Sequence, residues 1–422
     1  AVGENMAWST GNVLEDYTAW LDALSAAGGN FIRLWMASWG FGIEWNDTGL
    51  GNYGERQWRA YLLDRVFEMA AERDVYIMLS LLNHGAFSLT TNSEWDTNPY
   101  NVANGGMLQA PQEFATNPEA IRLWHRRLRY IAARWGYSPN LMAWEWWNEV
   151  NWTPMAGGRI LAPWMESSAD VLRSFDPYGH LITHSGSTLA DRSVWELESI
   201  RFTQDHRYDM PDLMRSFANI IPDWLAAYPD KPFLMGEFGA SAPSQFDLEG
   251  VLLHLGLWSP PMHGSFGTGM MWWWDNYIHP NDLYHQFTPV AAFFGSEDLA
   301  ARAWQPTQAE LDENSEARLF GLQAEDAALL WVVSRGYNEN ALMRQYERNL
   351  RNGVENPLAI EYPTNENVVL TVTALVPGAY TVEIWDAQTG TVLETQDVQT
   401  GDGTFTVALL PFERDLALKI KP

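Results

Sequence analysis

The chain contains no cysteine, which excludes a disulfide framework, a thiolate nucleophile and any cysteine-ligated metal. Positive charge is scarce: 26 Lys and Arg stand against 53 Asp and Glu, a formal net charge of −27. A polyanion is repelled by such a chain, which argues against nucleic acid or an anionic membrane surface as partner; a neutral polymer meets no such repulsion. No apolar run reaches the roughly 20 residues that span a bilayer, and no signal-peptide pattern opens the chain. Gly-x-Ser-x-Gly, His-Glu-x-x-His and EF-hand spacings are all missing. A serine esterase, a catalytic zinc and a calcium loop are therefore without a local signature. The chain begins at Ala1, so an upstream segment is expected to have been removed. With the missing cysteine, this fits an exported bacterial protein, secreted or extracytoplasmic.

What the chain has is tryptophan, 23 copies, in a composition that is 46% hydrophobic and 19% charged, as in globular proteins. Half or more of these rings are expected to fill a core, but indole faces also stack on the C–H faces of sugar rings. A length of 422 residues suits a large domain plus a smaller module. Short apolar runs alternate with amphipathic segments over 1–304. The runs Glu4–Trp8, Asn30–Met36, Val75–Leu81, Leu141–Trp147, Leu181–Ser185, Ile200–Asp205, Phe233–Phe238 and Gly269–Trp274 read as strands. Gln57–Glu72, Pro118–Trp135 and Pro211–Tyr228 read as helices between them. The alternation predicts an α/β fold, a (β/α)₈ TIM barrel. Residues 305–317 read as a linker. Residues 318–422, with short alternating runs, turn signals and no helical pattern of comparable strength, predict a small antiparallel β-sandwich. With no exposed aromatic row, the sandwich is expected to brace the barrel rather than bind polymer.

The stretch Trp144-Glu-Trp-Trp-Asn-Glu-Val-Asn-Trp152 ends an apolar run in a carboxylate, Glu149, preceded by an amide and fenced by indoles. A second carboxylate, Glu237, lies within Lys231-Pro-Phe-Leu-Met-Gly-Glu-Phe-Gly239. Barrel strands converge at their C-terminal ends, so the two side chains are expected to face each other across one cleft. Such a pair is what glycoside hydrolysis requires, about 5–5.5 Å apart for retention of configuration and wider for inversion. Strand alternation places Glu145 two residues below Glu149 on the same face, where a salt bridge to Arg33 or another barrel cation is expected.

Asn148-Glu149 after the fourth strand and Gly236-Glu-Phe-Gly239 at the seventh resemble the acid/base and nucleophile motifs of glycoside hydrolase clan A, most of all its family 5, the cellulase and mannanase family. Gly28-Gly-Asn-Phe-Ile-Arg-Leu-Trp-Met36 and Asn83-His-Gly85 resemble a bacterial branch that often carries an additional N-terminal sandwich domain. The resemblance implies Glu149 as acid/base and Glu237 as nucleophile. It implies Asn148 as the amide on the sugar 2-hydroxyl, Arg33 as the cation steadying the nucleophile, and His206 and Tyr208 as the His-x-Tyr pair whose phenol points at the nucleophile. His84 matches an active-site histidine. Of Trp272 and Trp274, placed on one face of an eighth strand, Trp274 is favoured as the sugar platform. No cofactor and no metal is implied; the implied partner is a neutral β-linked oligo- or polysaccharide of gluco- or manno-type.

Chemistry asks that the nucleophile be ionised, through a nearby guanidinium and phenol, and that the acid be raised, here by Trp146, Trp147 and Trp152. The long segments 37–53 and 82–118 are expected to wall opposite ends of the cleft. Two other readings stand beside this one: a carbohydrate-binding protein with an inert barrel, and a metal-dependent barrel hydrolase with dispersed ligands.

Overall fold

A computed structural model of the protein describes all residues from 1 to 422. Five parallel strands, β1 (Gly3–Asn5), β2 (Phe31–Trp35), β3 (Tyr76–Ser80), β4 (Leu141–Glu145) and β5 (Leu181–Thr183), pair in chain order, and β6 (Thr203–Tyr208) pairs with β7 (Phe233–Gly239). Helices α1 (Val13–Ala26), α2 (Gln57–Ala71), α3 (Pro118–Trp135), α4 (Gly158–Phe175), α5 (Arg192–Trp195), α6 (Leu213–Ala227), α7 (Val251–Trp258) and α8 (Phe287–Gly295) alternate with them, completing a TIM barrel. The reason for the alternation is visible in α3. Asn117 caps the amides of Glu119 and Ala120, Pro118 occupies the first turn, and Leu123, Trp124, Leu128, Ile131 and Trp135 bury one stripe.

The eighth strand departs from expectation. Gly269–Trp274 makes one bridge, Met271 to Phe238, and the chain then turns into a π-helical turn over Trp274–Ile278. The barrel still closes there through backbone hydrogen bonds, Met270 N to Met235 O and Trp272 N to Phe238 O at 3.1 Å on one side and Asn5 N to Met271 O at 3.2 Å on the other, and the Asn5 side chain adds bonds to the carbonyls of Gly236 and Met270 at 3.2 and 3.0 Å. Between β5 and β6 the closure runs through Arg201 N to Ile182 O at 2.8 Å.

The C-terminal part is an antiparallel sandwich. One sheet contains, in spatial order, β14 (Thr391–Thr400), β13 (Gly378–Asp386), β16 (Asp415–Lys421), β11 (Ala328–Ser334), β10 (Ala317–Gln323) and β8 (Gln305–Pro306). The other contains β15 (Phe405–Ala408), β12 (Val369–Val372) and β9 (Glu310–Leu311). Residues 305–317 are thus not a free linker, since β8 and β9 lie within them and pair into the two sheets. A helix absent from the sequence reading, α9 (Glu339–Arg351), is capped by Asn338 and carries Arg348 and Arg351 in its last turn. It docks on the barrel through Asn340, bonded to the Pro211 carbonyl, and Tyr346, stacked on Phe246. The sandwich has a core of its own, with Leu330, Leu370, Val382 and Leu418, and the other face of its larger sheet joins the barrel's apolar core, in which Trp331 stacks on Trp258. Within it, buried Asp415 accepts from Trp331 Nε1 at 2.8 Å and contacts His254 Nε2 at 2.7 Å. This arrangement is what bracing requires.

One buried group is unused by the fold. Asn5 faces the barrel interior, so its neighbour Glu4 faces outward and is fully buried, with no partner for either oxygen. Burial pushes its carboxyl well above the ordinary range. The folded state therefore holds a proton that the unfolded chain releases above about pH 4.3, so stability falls as pH rises from that value towards the folded pKa. Glu4→Gln removes this slope. In urea unfolding the variant is expected to match the parent near pH 4 and to exceed it increasingly towards neutrality, by at most about 1.4 kcal/mol per pH unit.

Candidate active site

The C-terminal ends of the strands bring the two glutamates together. Glu237 lies in β7, buried throughout, with His206 directly beside it in the β6–β7 register. Glu149 stands four residues beyond β4 in the left-handed region, φ 52° and ψ 54°, its amide held by Ser185 Oγ at 3.0 Å. For a residue with a Cβ that conformation costs about 1 kcal/mol or more, and it persists where surroundings fix it, as at functional sites. Glu149, His206 and Glu237 each offer a ligand atom, and these atoms lie within 4.8 Å of one another.

Arg33 Nη1 donates to Glu237 Oε1 at 2.5 Å, and the Tyr208 hydroxyl donates to Glu237 Oε2 at 2.5 Å. The remaining donors of Arg33 reach Glu145 at 2.7 and 2.9 Å, Asn148 Oδ1 at 2.7 Å and Asn5 Oδ1 at 3.1 Å. A guanidinium has five N–H donors, and all are used. Glu149 meets histidines instead: His206 Nδ1 at 3.2 Å from Oε1 and His84 Nδ1 at 3.6 Å from Oε2.

The proton inventory follows from these contacts. Burial pushes the Glu237 carboxyl up, while the charges of His206 and Arg33 and the Tyr208 hydroxyl pull against it; the net position is above the ordinary value. Burial also raises Glu149, but the hydrogen bond and charge of His206, with His84 and Arg33, outweigh it and hold the carboxyl below the usual range. Burial lowers His206, yet the Glu237 charge and the Glu149 hydrogen bond lift it above an ordinary histidine. His84 is lowered by burial. This reverses the expectation of a low nucleophile and a raised acid. His206 stands between the two carboxylates, with Nδ1 3.2 Å from Glu149 Oε1. Both oxygens of Glu237, meanwhile, are met by donors that favour the ion.

No protein-family model matches the sequence, and no curated protein matches it. Solved structures do match. One described as a glycoside hydrolase aligns over 100% of this chain and 92% of its own, with TM-score 0.60 and 14% identity. A family 5 glycoside hydrolase from Bacteroides vulgatus aligns over 100% and 89%, with TM-score 0.55 and 14% identity. An endo-β-1,4-mannanase from Thermotoga petrophila covers 97% of each chain, with TM-score 0.53 and 13% identity. The chain has the fold of family 5 glycoside hydrolases.

In this family 5 fold the carboxylates open into a cleft of about 600 Å³ lined by Trp8, Trp35, Trp39, Asn83, His84, Asn92, Trp152, Tyr208, Trp272 and Trp273 among others. Trp274, the favoured platform, is not among them: it is 2% exposed and packs edge-on against Trp8 and Trp20. Alternation fails because this segment is not extended beyond Met271, so Trp272 and Trp273 reach the cleft while Trp274 turns under it. Arg33 and Asn148 are fully buried, Arg33 with its donors on Glu145, Glu237, Asn148 and Asn5. Asn148 Nδ2 lies 3.1 Å from His84 Nδ1. Trp146 and Trp147 turn away from Glu149 into the core against Trp164, leaving Trp152, 48% exposed, as the one indole of that stretch at the cleft.

The two long segments do not wall opposite ends. β2 and β3 are neighbours, so the loops after them meet, and Glu94 ties them by accepting from Ser38 Oγ and from Asn83 Nδ2. Sequence reasoning missed Asn5, Trp8, Trp35, Trp39 and Trp273. Trp8 closed the first candidate run and Trp35 stood one residue from the end of the second, and a position near a strand end was signal enough to name them. Asn92, at φ 47° with Nδ2 3.3 Å from His84 Nε2, had no local signal.

Proposed function

We propose that the protein is a retaining β-glycoside hydrolase acting by double displacement on neutral β-linked glycans or oligosaccharides. The observation that carries this reading is the separation of the two carboxyl groups, whose nearest ligand atoms lie within 4.8 Å, matching the about 5–5.5 Å of retaining enzymes rather than the 6.5–9.5 Å that leaves room for water. Glu237 attacks the anomeric carbon as the bond to the leaving oxygen breaks, and Glu149 gives that oxygen its proton. Water then attacks the glycosyl-enzyme bond, loses its proton to Glu149, and frees Glu237. Indoles at the cleft supply apolar faces for sugar rings. Gluco- and manno-configured sugars are the substrate range, and the similarly folded mannanase of Thermotoga petrophila lends weight to the manno side.

The test is turnover of aryl β-glycosides followed by NMR of the first-formed anomer, which is expected to be β. Glu149→Gln is expected to lower kcat/KM about 10²–10⁴-fold on substrates with poor leaving groups. Azide, a nucleophile that needs no general base, is expected to restore turnover on activated substrates and give a β-glycosyl azide. An α-anomer as first product rules out retention; no turnover of any aryl glycoside favours the inert binding protein.

A further inference from the structure

We propose that the cleft holds a site for one divalent transition-metal ion, Zn²⁺ in the first instance, bound by Glu149, His206 and Glu237, and that such an ion is a competitive inhibitor. The inference is a regulation of the catalytic site and rests on the function proposed above. His206 Nδ1 lies 3.2 Å from Glu149 Oε1 and 3.5 Å from Glu237 Oε2. A tetrahedral ion with bonds of 2.0–2.2 Å to nitrogen and oxygen has donor-to-donor edges of about 3.3–3.6 Å, so His206 Nδ1 stands near ligand spacing to each carboxylate, and all three donor atoms lie within 4.8 Å of one another.

A second observation concerns the other ring nitrogen. His206 Nε2 and Gln204 Oε1 are both buried without a hydrogen-bond partner. Both face Gly236, where an added Cβ would lie 3.0 Å from the nitrogen and 2.1 Å from the oxygen. A metal-bound imidazole directs its free N–H at such an oxygen, which fixes the tautomer and leaves Nδ1 as ligand.

Charge points the same way. Ligation requires neutral His206 and displaces any proton on it; one guanidinium, Arg33, then stands with three carboxylates, Glu145, Glu149 and Glu237, leaving two negative charges in a protein whose net charge is already −27. A dication neutralises the cluster. Imidazole among the ligands selects zinc or copper over magnesium and calcium. Ligation occupies the nucleophile and the acid together and fills the place of the anomeric carbon, so the ion and the sugar exclude each other.

The experiment is a calorimetric titration of Zn²⁺ alone into chelator-treated protein, with turnover of an aryl β-glycoside measured alongside. One equivalent is expected to bind, with affinity at least tenfold weaker in His206→Asn and in Glu149→Gln, each checked for an unchanged melting profile. In the parent protein, where no substitution is involved, Zn²⁺ is expected to raise the apparent KM and leave kcat unchanged. Unchanged affinity in both variants overturns the site, as does inhibition that lowers kcat without touching KM. Zinc binding in a protein that cleaves no glycoside upholds the site and removes the proposed function; turnover indifferent to zinc does the reverse. Turnover stimulated by Zn²⁺ overturns both.

Discussion

Glu237→Gln is expected to reduce kcat/KM for an aryl β-glycoside by about 10⁵-fold or more, the scale seen when a nucleophile that acts with its partners as one unit is removed. The substitution is isosteric, and an amide oxygen still accepts from Arg33 Nη1, so the fold is expected to stand. What is lost is the covalent step. Rapid-quench measurement of aglycone release, with a burst in the parent and none in the variant, separates that loss from a defect in binding. Residual activity within tenfold of the parent would assign the nucleophile to another group.

Arg33→Met has the second large effect, and it falls on stability as well as rate. The guanidinium is fully buried, and Glu145 and Glu237 have side-chain exposures of 0% and 3%. Removing one member of such a cluster strands the others in a low-dielectric interior, at a cost of about 3–5 kcal/mol. That is a large part of the 5–15 kcal/mol that domains possess. Urea unfolding is expected to show this loss, together with a rate defect as Glu237 loses its clamp. Arg33→Lys is expected to rescue little, because three donors on a flexible stem replace five in a rigid fork. A variant as stable as the parent would show that the cluster is not held as described.

The barrel was legible because parallel strands buried on both faces read as continuous apolar runs, and seven of the eight candidates became strands within a few residues of their expected bounds. The eighth did not, since Trp272-Trp-Trp274 is as apolar as a strand but its backbone turns after Met271. The choice of Trp274 over Trp272 failed with it. Helix α9 was missed because it offers only a thin apolar stripe, with Leu342 its one buried residue; its Asn338 cap and terminal arginines were the available signal. At the site, motif and strand-end position picked out the glutamates, Tyr208 and both histidines. They could not show that His206 spans the two carboxylates, a contact over 57 and 31 positions of chain set by the β6–β7 register. Nor could they show that Arg33 spends every donor on protein. The environment of Glu149 was misread for a related reason: neighbours in sequence, Trp146 and Trp147, were taken for neighbours in space.

The Trp258–Trp331 stack and the sealed His254–Asp415 contact bear on how this architecture can change over evolution. A module joined by a flexible tether can be shed or traded by recombination without cost to its neighbour. Here a crossover near residue 304 would expose an indole face and orphan a buried imidazole, so any exchange of the C-terminal half must bring a matching surface on α7 with it. The two halves are bound to drift as one inherited unit.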